Sequence, residues 1–142
     1  MNRRNVLIAV VVLFVMQPVW ALTKTENRWL QTLEAVWAVE SGRQLNPKDG
    51  DGGKAVGPLQ IWRVRVDDCN RIVGQKKWTY EDRRDWIKSA EMFHISCMHY
   101  WPNGTAEQWA RHWNGSPTTG PTDKNTLGYW HKVQKELKGN DR

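Results

Sequence analysis

Only two cysteines occur in the 142 residues, and neither a C-x-x-C pair nor a Cys/His cluster accompanies them. Zinc-ribbon and dithiol redox chemistry therefore have no footing. The histidines His94, His99, His112 and His131 show no ligand spacing, so no metal site and no other cofactor is expected. There is no internal repeat, which excludes solenoids and propellers, and no low-complexity linker to divide the chain. No basic run is interleaved with aromatics, so the net charge of +6 at pH 7 does not describe a nucleic-acid surface. Nor is there an apolar run of the about 20 residues that a membrane-spanning helix requires.

The longest apolar run covers residues 6–16, 11 positions, and follows Arg3 and Arg4. Pro18 breaks it, and Val19-Trp20-Ala21 offers modest side chains where a signal peptidase cuts. Residues 1–21 are read as an export signal, leaving 22–142 as one mature domain. An uncleaved anchor using Trp20 at the interface is the alternative. Cleavage after Ala21 leaves 121 residues; the 21 basic residues fall to 19 against 15 acidic ones, a charge of +4. That modest charge suits an anionic partner such as a cell-wall polymer, in a secreted or periplasmic location. In an oxidising compartment Cys69 and Cys97 are expected to form a disulfide; two buried free thiols are the alternative.

What the chain has instead is tryptophan, ten residues against three tyrosines and two phenylalanines, scattered over segments with helical periodicity. Thr23-x-x-Glu26 is a capping box opening a helix over 23–41, with Leu30, Leu33 and Trp37 on one stripe and Gly42 to end it. The segment 46–53, Asn-Pro-Lys-Asp-Gly-Asp-Gly-Gly, is turn chemistry, a loop or short hairpin reaching 56–61. A weakly patterned helix is expected within 62–72. A clearer one follows Thr79-x-x-Asp82, with Trp86, Ala90, Phe93, Cys97 and Tyr100 on one side. Pro102-Asn103-Gly104 stops it. Thr105-x-x-Gln108 opens a short helix carrying Trp109, Ala110 and Trp113. A last helix over 126–137 turns Tyr129 or Trp130, Val133 and Leu137 inward.

Glu40 continues the apolar stripe of the first helix and sits in its last turn. Desolvation disfavours its charged form, and so does the negative end of the helix dipole. A carboxyl still protonated near neutral pH is what glycosidic cleavage asks of a general acid. An exposed Glu at a frayed end, or one paired with Arg43, is the plainer alternative. Asp49 and Asp51, in the glycine-rich loop that follows, are candidates for a second carboxylate, although aspartates there are more often turn formers.

Six blocks then recur in order: Val39-Glu40-Ser41-Gly42, Gly57-Pro58-Leu59-Gln60-Ile61, Asp68-Cys69, Cys97-Met98-His99-Tyr100, the run from Ala110 to Pro117, and the run from Thr126 to Val133. Together they resemble the invertebrate-type (destabilase) lysozymes, within the wider group that holds goose-type lysozymes and soluble lytic transglycosylases. The resemblance implies an α+β, predominantly α, lysozyme-like fold with a small β-hairpin beside the active-site cleft. It places the catalytic acid on Glu40 and favours Asp51, with Asp49 close behind, as the second acid. It puts Gln60, Asn114 and Tyr129 in the cleft as substrate-binding residues, with loop bracing and core packing as their plainer roles; His112 is a further candidate for substrate contact, or else sits on the helix surface. Those lysozymes are rich in disulfides, so the tryptophans here are expected to supply core stability that covalent staples supply there.

The expected activity is cleavage of the β-1,4 bond between N-acetylmuramic acid and N-acetylglucosamine in peptidoglycan. A lytic transglycosylase using Glu40 alone as acid and base is the near alternative, and a non-catalytic peptidoglycan-binding module the distant one. Peptidoglycan is the expected partner and a proteinaceous lysozyme inhibitor a conceivable one. Nucleic acid and stable membrane insertion after cleavage are not expected. The working unit is read as a monomer.

Overall fold

A computed structural model describes residues 22–140, so the expected export signal over 1–21 lies outside the described residues. Five helices make the body: α1 Lys24–Ser41, α2 Arg63–Val73, α3 Trp86–Tyr100, α4 Ala106–Asn114 and α5 Leu127–Asn140. Short 3-10 turns at Asp51–Gly53, Glu81–Arg84, Gly120–Thr122 and Lys124–Thr126 punctuate the connections. The chain is predominantly helical, as its periodicity predicts.

The helix ends follow local chemistry. Thr23 accepts from the Glu26 amide while the Glu26 carboxylate accepts from the Thr23 amide, and Gly42, at φ 61°, closes α1 in the left-handed conformation. Thr105 and Gln108 form the second capping box. The expectation for Thr79-x-x-Asp82 is corrected: α3 starts later, at Trp86, capped by Asp85, whose side chain accepts from the Lys88 amide. Asp82 instead accepts from the Thr79 amide at 2.8 Å and shapes the turn before it.

Six tryptophans are buried: Trp29, Trp37, Trp78, Trp86, Trp109 and Trp113. Trp37 and Trp86 stack at 4.1 Å between centroids, and Phe93 meets Trp113 edge-on at 5.0 Å. Aromatic pairs of this kind contribute roughly 0.5–1.5 kcal/mol beyond the area they bury. Every expected apolar position of the three stripes before α5 is buried except Tyr100, which is half-buried. In α5, Val133 is buried while Tyr129, Trp130 and Leu137 are half-buried. The most extensive helix pairing joins α1 to α5, and Arg43 reinforces it by ion pairs to Glu34 and to Glu136.

Two expectations change. No strand hairpin forms among the described residues; segment 50–61 holds only the isolated antiparallel bridges Gly50–Ala55 and Val56–Ile61. The reason is local: turns inside 51–53 and 57–60 take the residues that would extend either ladder. Cys69 and Cys97 are both fully buried, as the stripe predicts for Cys97, but they are free thiols rather than a disulfide. Cys69 Sγ faces the Met92 carbonyl oxygen at 3.5 Å, and burial pushes its thiol up to about 12.

Candidate active site

The end of α1, the loop 50–61, the first turns of α2 and the end of α4 surround a cleft of about 760 Å³. Glu40, Asp51, Gln60 and Asn114 all line it. Four residues separated by up to 74 positions in sequence are thus brought to one depression.

Glu40 reaches it because the helical stripe that buries Leu33 and Trp37 continues one turn further. It is half-buried, and its Oε1 accepts a hydrogen bond from the Tyr129 hydroxyl at 2.7 Å. Burial, the largest influence, raises its pKa to about 7; the Tyr129 hydrogen bond opposes that, the charge of Asp51 adds to it, and Lys132 opposes it. Arg43 does not neutralise Glu40, since its guanidinium is turned to Glu34 and Glu136. Tyr129 is itself pushed well above its ordinary range by burial and by the Glu40 carboxylate, so its hydroxyl stays a donor.

One hydrogen bond ties the end of α1 to the loop opposite, a second holds the chain leaving the helix, and the loop's own turn is anchored in the core. Ser41 Oγ donates to the Pro58 carbonyl at 2.8 Å, Trp37 Nε1 donates to the Gln44 carbonyl at 3.0 Å, and the 57–60 turn packs its buried Leu59 into the core. Gly57 has φ 77°, and a Cβ there would lie 1.8 Å from the Arg83 carbonyl oxygen. Only glycine fits. Arg83, buried, donates to the carbonyls of Tyr80, Lys54 and Ile61. The loop is therefore fastened at several backbone points even without a ladder.

Asp51 and Gln60 adopt positive φ, 49° each. For residues with a Cβ this costs on the order of 1 kcal/mol each, a strain that clusters at working sites. Asp51 is exposed on the cleft. Asp49 is turned away into a two-toothed pair with Arg84, at 2.8 and 2.9 Å, which holds its carboxyl below the usual range. Gln60 Nε2 donates to the Gly57 carbonyl at 2.9 Å, so its amide braces the turn beneath the cleft. Asn114 is exposed at the end of α4, free to present its amide.

His112 is corrected. It is fully buried and touches no cleft surface. Its Nδ1 donates to the Pro117 carbonyl at 2.8 Å, because that oxygen can only accept. Its Nε2 then accepts from Ser96 Oγ at 2.8 Å, and Ser96 accepts from Arg65 at 3.3 Å. Burial lowers the imidazole to about 4, so it is neutral and structural.

Trp62 and Arg65, which the sequence did not single out, and Asp68, to which it gave no role at the site, also line the cleft. Arg65 donates to the carbonyls of His112, Trp113 and Gly115, fixing the cleft rim that follows α4. Asp68 accepts from the Tyr100 hydroxyl at 3.0 Å, joining two of the six blocks. Only a three-dimensional contact distinguishes these residues from any polar helix surface.

Among the described residues no group of His, Cys, Asp and Glu is arranged to hold a metal ion. No described helix is long and apolar enough to cross a membrane. Compared with known proteins, the sequence matches no family model and no curated protein. The site must be read from its own chemistry.

Proposed function

We propose that the mature chain is an exported, lysozyme-like enzyme that cleaves the β-1,4 bond between N-acetylmuramic acid and N-acetylglucosamine in peptidoglycan. The observation that carries this reading is Glu40, a carboxyl whose pKa is raised to about 7 on the lining of an open cleft. Such an acid keeps its proton where most carboxyls have lost theirs, and gives it up when a leaving oxygen needs it. Two of the block pairings support the resemblance: Ser41 meets Pro58, and Glu40 meets Tyr129.

In this reading Glu40 protonates the glycosidic oxygen as the C1–O bond breaks, and the alcohol leaves with its hydroxyl restored. Positive charge develops at C1 of the N-acetylmuramic acid. Asp51, an exposed carboxylate lining the same cleft, stabilises that charge or activates the water that adds to C1. Glu40, now ionised, is stabilised by the Tyr129 hydroxyl until the proton returns. Tyr129 is a positioning residue here, since it acts through Glu40.

The test is a mass spectrum of soluble fragments released from purified peptidoglycan, with Glu40→Gln as control. Fragments ending in reducing N-acetylmuramic acid sustain the hydrolase. Anhydro-ended fragments, lighter by one water, mean a lytic transglycosylase in which Glu40 serves as acid and base and Asp51 is a turn residue. Release no greater than the control leaves a binding module and overturns the enzymatic reading.

A further inference from the structure

The described residues contain nine tryptophans, and only Trp62 is exposed, at 43%. It stands just before α2 at the N-cap position, where an indole, which can only donate, has no capping role. An indole that neither packs in the core nor caps a helix is left to water unless something covers it. It lines the same cleft as Glu40 and Asp51. The Lys54 ammonium lies over one face of its ring, 5.5 Å from the centroid. Lys54 is exposed and forms none of the ion pairs found among the described residues. The backbone beneath them is held, because one Arg83 nitrogen, Nη1, donates to the carbonyls of Lys54 and of Ile61, the residue before Trp62.

We propose that Trp62 and Lys54 form a subsite for a pyranose that bears a carboxylate. Resting on the peptidoglycan reading above, that sugar is N-acetylmuramic acid with its lactyl group. An indole offers a flat apolar face to the C–H face of a sugar ring, at little conformational cost. A lysine over that ring with no carboxylate partner of its own adds a charge that a neutral sugar cannot answer and a lactyl carboxylate can. Trp62 would thus supply affinity for sugar in general, and Lys54 the preference for the acidic one.

The experiment measures binding by isothermal titration to the full chain carrying Glu40→Gln, so that no turnover intrudes. The probes are the neutral tetramer of N-acetylglucosamine and the peptide-free alternating tetrasaccharide of N-acetylglucosamine and N-acetylmuramic acid. Trp62→Ala is expected to weaken both by about tenfold, and Trp62→Phe to recover part of the loss. Lys54→Gln is expected to weaken only the alternating saccharide, by about threefold, and to remove the salt dependence of its binding. Unchanged thermal unfolding of each variant shows that the fold is intact. Equal affinities in parent and Trp62→Ala overturn the subsite, as does a Lys54→Gln loss shared by both ligands, or a parent that binds neither. The catalytic reading fails separately: if the native chain releases no fragments yet shows these binding losses, the subsite stands without the reaction. If it releases fragments and the binding losses are absent, the reaction stands without the subsite.

Discussion

Glu40 and Asp51, two of the three carboxylates that line the cleft, live in opposite settings. Glu40 stands on a long helix, is half-buried, and has a dedicated hydrogen-bond donor in Tyr129. Asp51 stands on a three-residue 3-10 turn, is exposed, and holds a left-handed backbone. One wall is made rigid by packing, the other by backbone hydrogen bonds and a glycine that admits no Cβ. The difference suits a division of labour. A proton donor needs an environment that disfavours its charge, and a carboxylate facing a developing cation needs one that leaves its charge alone.

The largest effect that would break this contrast is at Glu40. Glu40→Gln should lower fragment release by at least about 10²-fold, the range of a general acid. It should also stabilise the protein above neutral pH. A raised folded pKa means that folding favours the protonated form, so this contribution is complete below pH 4.5 and lost as pH rises through about 7. The native chain therefore bears a cost of up to about 3 kcal/mol at pH 8 that the glutamine does not. Denaturant unfolding at pH 4 and pH 8 checks it: the two proteins should converge at the lower pH and separate at the higher.

Asp51→Asn comes next, with an expected activity loss of roughly tenfold, smaller than that of the general acid. Because the Asp51 charge raises the Glu40 pKa, the alkaline limb of the pH–rate profile should move down. Tyr129→Phe should do the reverse. Its hydroxyl favours ionised Glu40, so removing it should move that limb up by about one pH unit, with a smaller loss of rate. Opposite movements in the two variants would sharpen the contrast between the walls; movements in the same direction would end it. Asp49→Asn should matter least, changing rate by no more than about twofold, since it breaks only an exposed pair with Arg84.

The comparison also explains which parts were legible in the sequence. The helical wall was readable because an amphipathic helix carries its own register: Leu30, Leu33 and Trp37 predict where Glu40 points. The loop wall was not. Asp49 and Asp51 are two residues apart among glycines, and only the position of Arg84, 35 residues beyond Asp49, turns one into an ion pair and leaves the other at the cleft. His112 misled for a related reason. Its spacing from Trp109 puts it on the buried side of α4, but the partners that hold its ring there, Ser96 and Pro117, lie outside that helix. The missing disulfide follows the same pattern, since two cysteines can share a core while their sulfur atoms face different neighbours.

Local chemistry alone thus determined the two capping boxes, the helix phases and the inward course of Glu40, because each depends on residues within a turn or two of one another. The tertiary structure decided which aspartate faces the cleft, that Tyr129 serves Glu40 across 89 residues, that His112 is sealed in the core, and that one tryptophan remains outside. Those outcomes depend on burial and on partners distant in the chain, and both exist only once the helices have packed.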